Sequence, residues 1–81
     1  MRIDLFLSTT NVTKRRSISA DMCDNNVVFI NAKLAQKSSK VKVGDKISLK
    51  LLDKTREFEV LKIPEKKSIP KDLSAQYVKE I

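Results

Sequence analysis

The residues of this chain best able to do chemistry are cations. Lys14-Arg15-Arg16 form one tight group, and Lys33, Lys37, Lys40 and Lys42 recur at short intervals through a second segment, with Ser38 and Ser39 among them. Guanidinium and ammonium groups bind phosphate oxygens through charge and N–H donation, and serine hydroxyls add hydrogen bonds. Thr13 stands where a helix N-cap is expected, so Arg15, Arg16 and the first free backbone N–H groups converge where a phosphate fits. Cations oppose the dipole at a helix N-terminus, which makes a functional reason for them more attractive than chance. Taken alone, the tripeptide reads equally well as a solvated basic turn; the second basic segment tips the balance toward a groove.

Other chemistries lack their parts. There is no histidine and Cys23 is the only cysteine, so common zinc sets, an intramolecular disulfide and Ser-His or Cys-His catalysis have no residues to build from. Cys23 falls in a helical pattern near Ile18 and Met22, where an inert buried thiol is expected. Gly44 is the single glycine, which leaves no Gly-rich phosphate loop. Asp4, Asp21 and Asp24 read as ordinary surface charge, because nothing pairs them as acid and base. The expectation is binding without catalysis, metal or cofactor.

The elements that must position the cations follow from periodicity. Ile3, Leu5, Phe6 and Leu7 predict a brief helix ending near Ser8, and Thr13 opens a second, from Lys14 to about Asn25, with Ile18 and Met22 on its apolar face. Asn25-Asn26 stops it, because asparagine tolerates the left-handed conformation. Val27 to Ile30 predicts a strand, Asn31-Ala32 a hairpin turn made less certain by alanine in place of glycine, and Lys33 to Ala35 the returning arm. Gln36 to Lys42 reads as a basic surface loop, Lys46 to Leu51 as a strand after Val43-Gly44-Asp45, and Arg56 to Ile63 as its partner across Asp53-Lys54. Pro64 and Pro70 bracket a charged linker, and Leu73, Tyr77, Val78 and Ile81 at helical spacing predict a short C-terminal helix. Phe6, Phe29, Phe58 and Tyr77 all read as core.

The 81 residues make room for one domain of the α+β class. Of the net charge of +7, residues 1–50 hold +6, with ten Lys/Arg against four Asp/Glu, and residues 51–81 hold +1. That asymmetry implies an anionic partner, either nucleic acid or an acidic membrane surface. With the aromatics assigned to the core, shape and phosphate contact point to structured RNA. No apolar run is long enough to span a bilayer and residues 1–20 hold no signal-like block, so a soluble cytoplasmic protein is expected; a monomer without a membrane partner is the accompanying expectation.

Five segments in order carry a resemblance: Arg2-Ile3-Asp4, Lys14-Arg15-Arg16, Val28-Phe29-Ile30-Asn31, Lys37-Ser38-Ser39-Lys40 and Val41-Lys42-Val43-Gly44-Asp45. Over about residues 1–50 the chain resembles the S-four RNA-binding domain. Ala32 stands where that family usually has glycine, and Asn25-Asn26 where it often has one. The remainder resembles the stand-alone heat-shock and RqcP-type proteins of bacterial ribosome-associated quality control, with Lys66-Lys67 in a basic linker and Ala75-Gln76-Tyr77 in a short helix. The resemblance implies a small S-four-type (αL) fold, two N-terminal helices on a small, mostly antiparallel sheet. Residues 1–63 would form the RNA-binding domain with its strand extension, and 64–81 the linker and C-terminal helix. It implies rRNA and tRNA on the stalled large ribosomal subunit as partners, with room for a quality-control protein, and Arg2, Lys14, Arg15, Arg16, Lys33, Lys37, Ser38 and Lys40 as RNA contacts. Alternatives that stay open are a general structured-RNA binder, an accessory piece of an RNA-modifying enzyme, and a DNA or acidic-surface binder.

Overall fold

Polar residues that tolerate positive φ end the helices early and set the fold's proportions. The computed structural model describes residues 1–66 and 68–81; Lys67, half of the Lys66-Lys67 pair, lies outside the described residues. Helix α1 spans Ile3–Thr9, and Ile3, Phe6 and Leu7, spaced at i, i+3 and i+4, are fully buried. It stops at Asn11, whose φ of 64° reverses the chain. The N–H of Asn11 then donates to the Ser8 carbonyl and that of Val12 to the Leu7 carbonyl. Helix α2, Arg16–Asp24, ends the same way at Asn26 (φ 60°), with Asn26 N–H donating to Cys23 and Val27 N–H to Met22. Both are Schellman closures with asparagine in place of glycine. The stop at Asn25-Asn26 is where the residue types place it, and Asn11 is a second signal of the same kind.

The apolar face of α2 agrees with expectation at Met22, which packs half-buried against the core, and differs at Ile18. Ile18 is 41% exposed, and the buried residues are Ser19 and Cys23, one turn apart. Thr13 is not an N-cap: Arg15 holds that position, and Thr13 Oγ1 donates to the Arg15 carbonyl and lies 2.5 Å from Ser19 Oγ. Small side chains let α1 and α2 approach closely, and the buried hydroxyls satisfy each other, which an isoleucine at the same place does neither of.

Strands β1 (Val28–Ile30), β2 (Lys33–Leu34), β3 (Lys46–Lys50), β4 (Thr55–Val60) and β5 (Val78–Glu80) form one antiparallel sheet in the order β2-β1-β3-β4-β5. Val28, Ile47, Leu49, Phe58, Val60 and Val78 face Ile3, Phe6, Leu7 and Cys23 in the core. The β1–β2 hairpin turns at Asn31 (φ 51°) and Ala32 (φ 67°). Positive φ at both positions is the type I′ geometry, so the turn forms with alanine where glycine is usual. Phe29 is not core. Strand alternation sends Val28 inward and Phe29 to the opposite face, where it is half-buried with Lys50 Nζ 4.4 Å from its ring centroid.

The expected C-terminal helix is replaced by a 3₁₀ turn, Lys71–Gln76, followed by β5. Val78 pairs with Val60, Ile81 N–H donates to the Glu57 carbonyl, and Arg56 makes a two-pronged ion pair with Glu80 at 2.8 and 2.9 Å. These bonds cover the β4 edge, which a helix would have left unpaired. Leu73 and Ile81, two of the residues whose spacing predicted that helix, stay exposed, and Tyr77, read as core, is half-buried. Among the described residues no helix is long and apolar enough to cross a membrane.

Candidate nucleic-acid interface

The basic surface is organised by a buried carboxylate. Asp4, only 2% exposed, sits in the first turn of α1, where the helix dipole and its own bond from Leu5 N–H favour the negative charge. Its Oδ2 accepts from Arg2 Nη2 at 3.1 Å and from Arg16 Nε at 3.4 Å. Arg2 is the residue before α1 and Arg16 opens α2, so one carboxylate aligns cations from two helix starts. About half of each guanidinium-bearing side chain remains open to solvent.

The loop from Gln36 to Val41 lies along the N-terminal segment and brings a second set of cations beside the first. Ile3 N–H donates to the Ser39 carbonyl, Val41 N–H to the Met1 carbonyl, and Arg2 forms an antiparallel bridge with Lys40. Lys37 reaches Asp24 at 3.9 Å, so α2 also steadies this loop. Ser39 Oγ accepts from Gln36 N–H and holds the turn, whereas Ser38 is exposed.

A shallow groove borders this cluster. Lys33, Lys40 and Lys42 line it, with Asn31, Ser39 and Asp45. Its shape depends on a hydrogen-bond clasp: Asn31 Oδ1 accepts from Lys46 N–H, Asn31 Nδ2 donates to Asp45 Oδ1, and Asp45 Oδ2 accepts from Lys42 N–H. Gly44, at φ 91°, allows the chain to turn there.

Of the eight residues read from sequence, the structure gathers Arg2, Arg16 and Lys40 around the junction of the helix starts with the loop; Lys37 sits on the same loop with its ammonium toward Asp24 at the end of α2, and Lys33 joins Lys40 across the groove. Lys14 and Arg15 are exposed just before α2, with no side-chain bond to the cluster among the described residues. No side chain caps the first turn of α2. The residue that sequence reasoning missed is Asp4, taken there for surface charge. Lys42 was seen as basic but not carried into the contact set, and the clasp of Asn31 and Asp45 has no local signal beyond two turn-forming residue types.

Cys23 lies under this surface. Burial, helped by the nearby Asp4 and Asp24 carboxylates and opposed by Lys37, pushes its thiol up to about 11. It is a packing group rather than a nucleophile. Among the described residues no group of three His, Cys, Asp or Glu is placed to hold a metal ion.

Comparison with known proteins gives a consistent picture. The RQC P-site tRNA stabilizing factor of Helicobacter pylori strain 26695 is 40% identical over 78 residues, 96% of this chain and 93% of the relative. Its counterparts in Halalkalibacterium halodurans and Bacillus subtilis are 28% and 36% identical, over 80% and 62% of this chain and 74% and 58% of their own lengths. The solution structure of the hypothetical protein HP1423 superposes with a TM-score of 0.87 at 38% identity, covering 100% of this chain and 96% of that one. The trimeric Vibrio cholerae Heat Shock Protein 15 superposes with a TM-score of 0.88 at 23% identity over 100% and 81% of the two chains. No family model matches the sequence.

Proposed function

The chain belongs to the family of RQC P-site tRNA stabilizing factors, and from that premise we propose that it is a non-enzymatic RNA-binding factor of ribosome-associated quality control. In this reading it holds tRNA and rRNA together on a stalled large ribosomal subunit in the bacterial cytoplasm. Residues 1–63 act as an S-four-type RNA-binding domain, and 64–81 as a segment added to it.

The observation that carries the reading is the alignment of Arg2 and Arg16 by buried Asp4, beside the loop bearing Lys37 and Lys40. A carboxylate below the surface holds two guanidinium forks in register while leaving their outer halves to solvent. That arrangement suits phosphates spaced along a structured backbone. Arg15, Lys14, Lys33 and Ser38 extend the contact area around it, and groove-lining Lys42 is added to the set.

The test is sedimentation of the tagged protein through a sucrose gradient, at low salt and under translational stress. Recovery with the large-subunit fraction, lost in an Arg2→Ala/Arg16→Ala double variant, is the expected result. Persistent absence of the wild-type protein from that fraction would sink the proposal, and preference for duplex DNA or anionic vesicles over tRNA in competition would redirect it.

A further inference from the structure

A cleft of about 300 Å³ opens in the C-terminal segment, apart from the basic face around Asp4 and lined by none of the cations of that face. Its walls are Ile69, Pro70, Leu73 and Tyr77, with Lys62 and Lys66 at the rim beside Glu65. Three parts of the chain build it, and each is tied down. Asn11 Nδ2 donates to the Ile69 carbonyl at 3.1 Å and to Ser74 Oγ at 2.7 Å, anchoring both ends of the segment to the close of α1. The N–H groups of Leu61 and Lys62 both donate to the Tyr77 carbonyl, fixing the aromatic residue against the end of β4.

Tyr77 is half-buried, and the Lys62 ammonium stands over its ring, 5.5 Å from the centroid. An aromatic face held by a flexible cation is open to a planar group, because the lysine stem can swing aside and carry its charge to whatever accompanies that group. Apolar walls, one aromatic face and, among the described residues, a rim with two cations against one carboxylate match a single nucleotide: a planar base with an anionic phosphate attached.

We propose that this cleft is a second RNA contact that takes one unpaired nucleotide, its base against Tyr77 and a flanking phosphate at Lys62 and Lys66. The proposal rests on the RNA-binding reading of the basic face. It assigns to the C-terminal segment a base contact, where the face around Asp4 supplies phosphate contacts only.

Tyr77 is the only tyrosine and the chain has no tryptophan, so its ring-proton resonances report on this cleft without overlap from others of the kind. The experiment follows those resonances during titration with unlabelled tRNA and with single-stranded hexauridylate, and measures tRNA affinity separately by anisotropy of a fluorescein-labelled tRNA. Stacking is expected to shift the ring protons upfield. Tyr77→Leu, which keeps apolar bulk, is expected to weaken tRNA binding about tenfold, and Lys62→Gln, at an exposed position, several-fold. If Tyr77→Leu does not fold, the wild-type shifts and Lys62→Gln decide. Wild-type tRNA affinity in both variants, with unmoved ring protons in the bound state, overturns the cleft as an RNA contact and leaves the basic face standing. Absence of any tRNA binding by the wild-type protein overturns both. Ring shifts produced by an acidic peptide and not by either RNA show a protein-docking site and overturn the proposal.

Discussion

Arg16 Nε lies 3.4 Å from Asp4 Oδ2, so the first residue of the second helix is aimed by a buried side chain of the first. The same oxygen holds Arg2, and the two arginines therefore act as one unit whose geometry depends on Asp4.

Asp4→Asn keeps the shape and removes the charge. The expected outcome is weaker tRNA binding even though the protein becomes more positive overall, together with a stability loss of about 1–2 kcal/mol after allowance for the half-exposed partners. Binding by anisotropy and unfolding in urea check the two effects. Unchanged or stronger RNA binding would mean that bulk charge, not alignment, governs the surface.

Salt dependence separates phosphate contacts from other effects. Each lost cation that touches phosphate is expected to reduce the slope of log affinity against log salt by about one. Arg2→Ala, Arg16→Ala and Lys40→Ala are each expected to do so. Glu57→Gln, on the opposite sheet face, is expected to leave the slope alone.

Ala32 adopts φ 67° in the hairpin turn, a conformation that costs an L-residue about 1–2 kcal/mol. Ala32→Gly relieves this while adding unfolded-state freedom, so a net gain of about 0.5–1 kcal/mol is expected. A rise in the urea midpoint at constant slope is the measurement; a fall would show that the turn gains from the methyl group.

Cys23, with its thiol raised to about 11 by burial and nearby carboxylates, is expected to react with a thiol reagent at neutral pH only as fast as the fold opens. Because the folded state holds its proton more tightly than the unfolded chain, stability contributed at this site is complete below pH about 9. It is lost progressively as pH rises toward 11. Cys23→Ala is expected to flatten that part of the stability profile.

Arg56 holds the Glu80 carboxyl below its ordinary range through their paired hydrogen bonds. The stabilisation is present above the usual glutamate value and fades as pH falls through the lower, folded one. Carboxyl NMR titration of Glu80 is expected to return to the ordinary range in Arg56→Ala, with β5 amides exchanging faster.

Much of this fold is legible in the residues. The i, i+3, i+4 spacing of Ile3, Phe6 and Leu7, the asparagine stop after Asp24 and the alternating strand around Ile47 and Leu49 all form as their patterns dictate, because each depends on local periodicity or on one residue's backbone preference. The failures share a cause as well. Leu73, Tyr77, Val78 and Ile81 fit helical spacing, yet Val78 pairs with Val60 because an unpaired sheet edge outweighs a weak six-residue propensity. Ile18 yields to Ser19 because close helix packing selects small side chains, a condition visible only when the second helix is in place.

The sequence by itself determined the charge: which segments are basic, that no histidine or second cysteine is available for chemistry, and where turns must fall. Those are properties of residue type and neighbour spacing, and no contact is needed to read them. Only the tertiary structure decided which cations act together. Asp4 looks like any surface acid until α1 and the loop at Lys37 to Lys40 close over it, and its role arises because burial makes a carboxylate seek every donor within reach. Arg2, Arg16 and Lys40 are distant in the chain and are brought together by that closure.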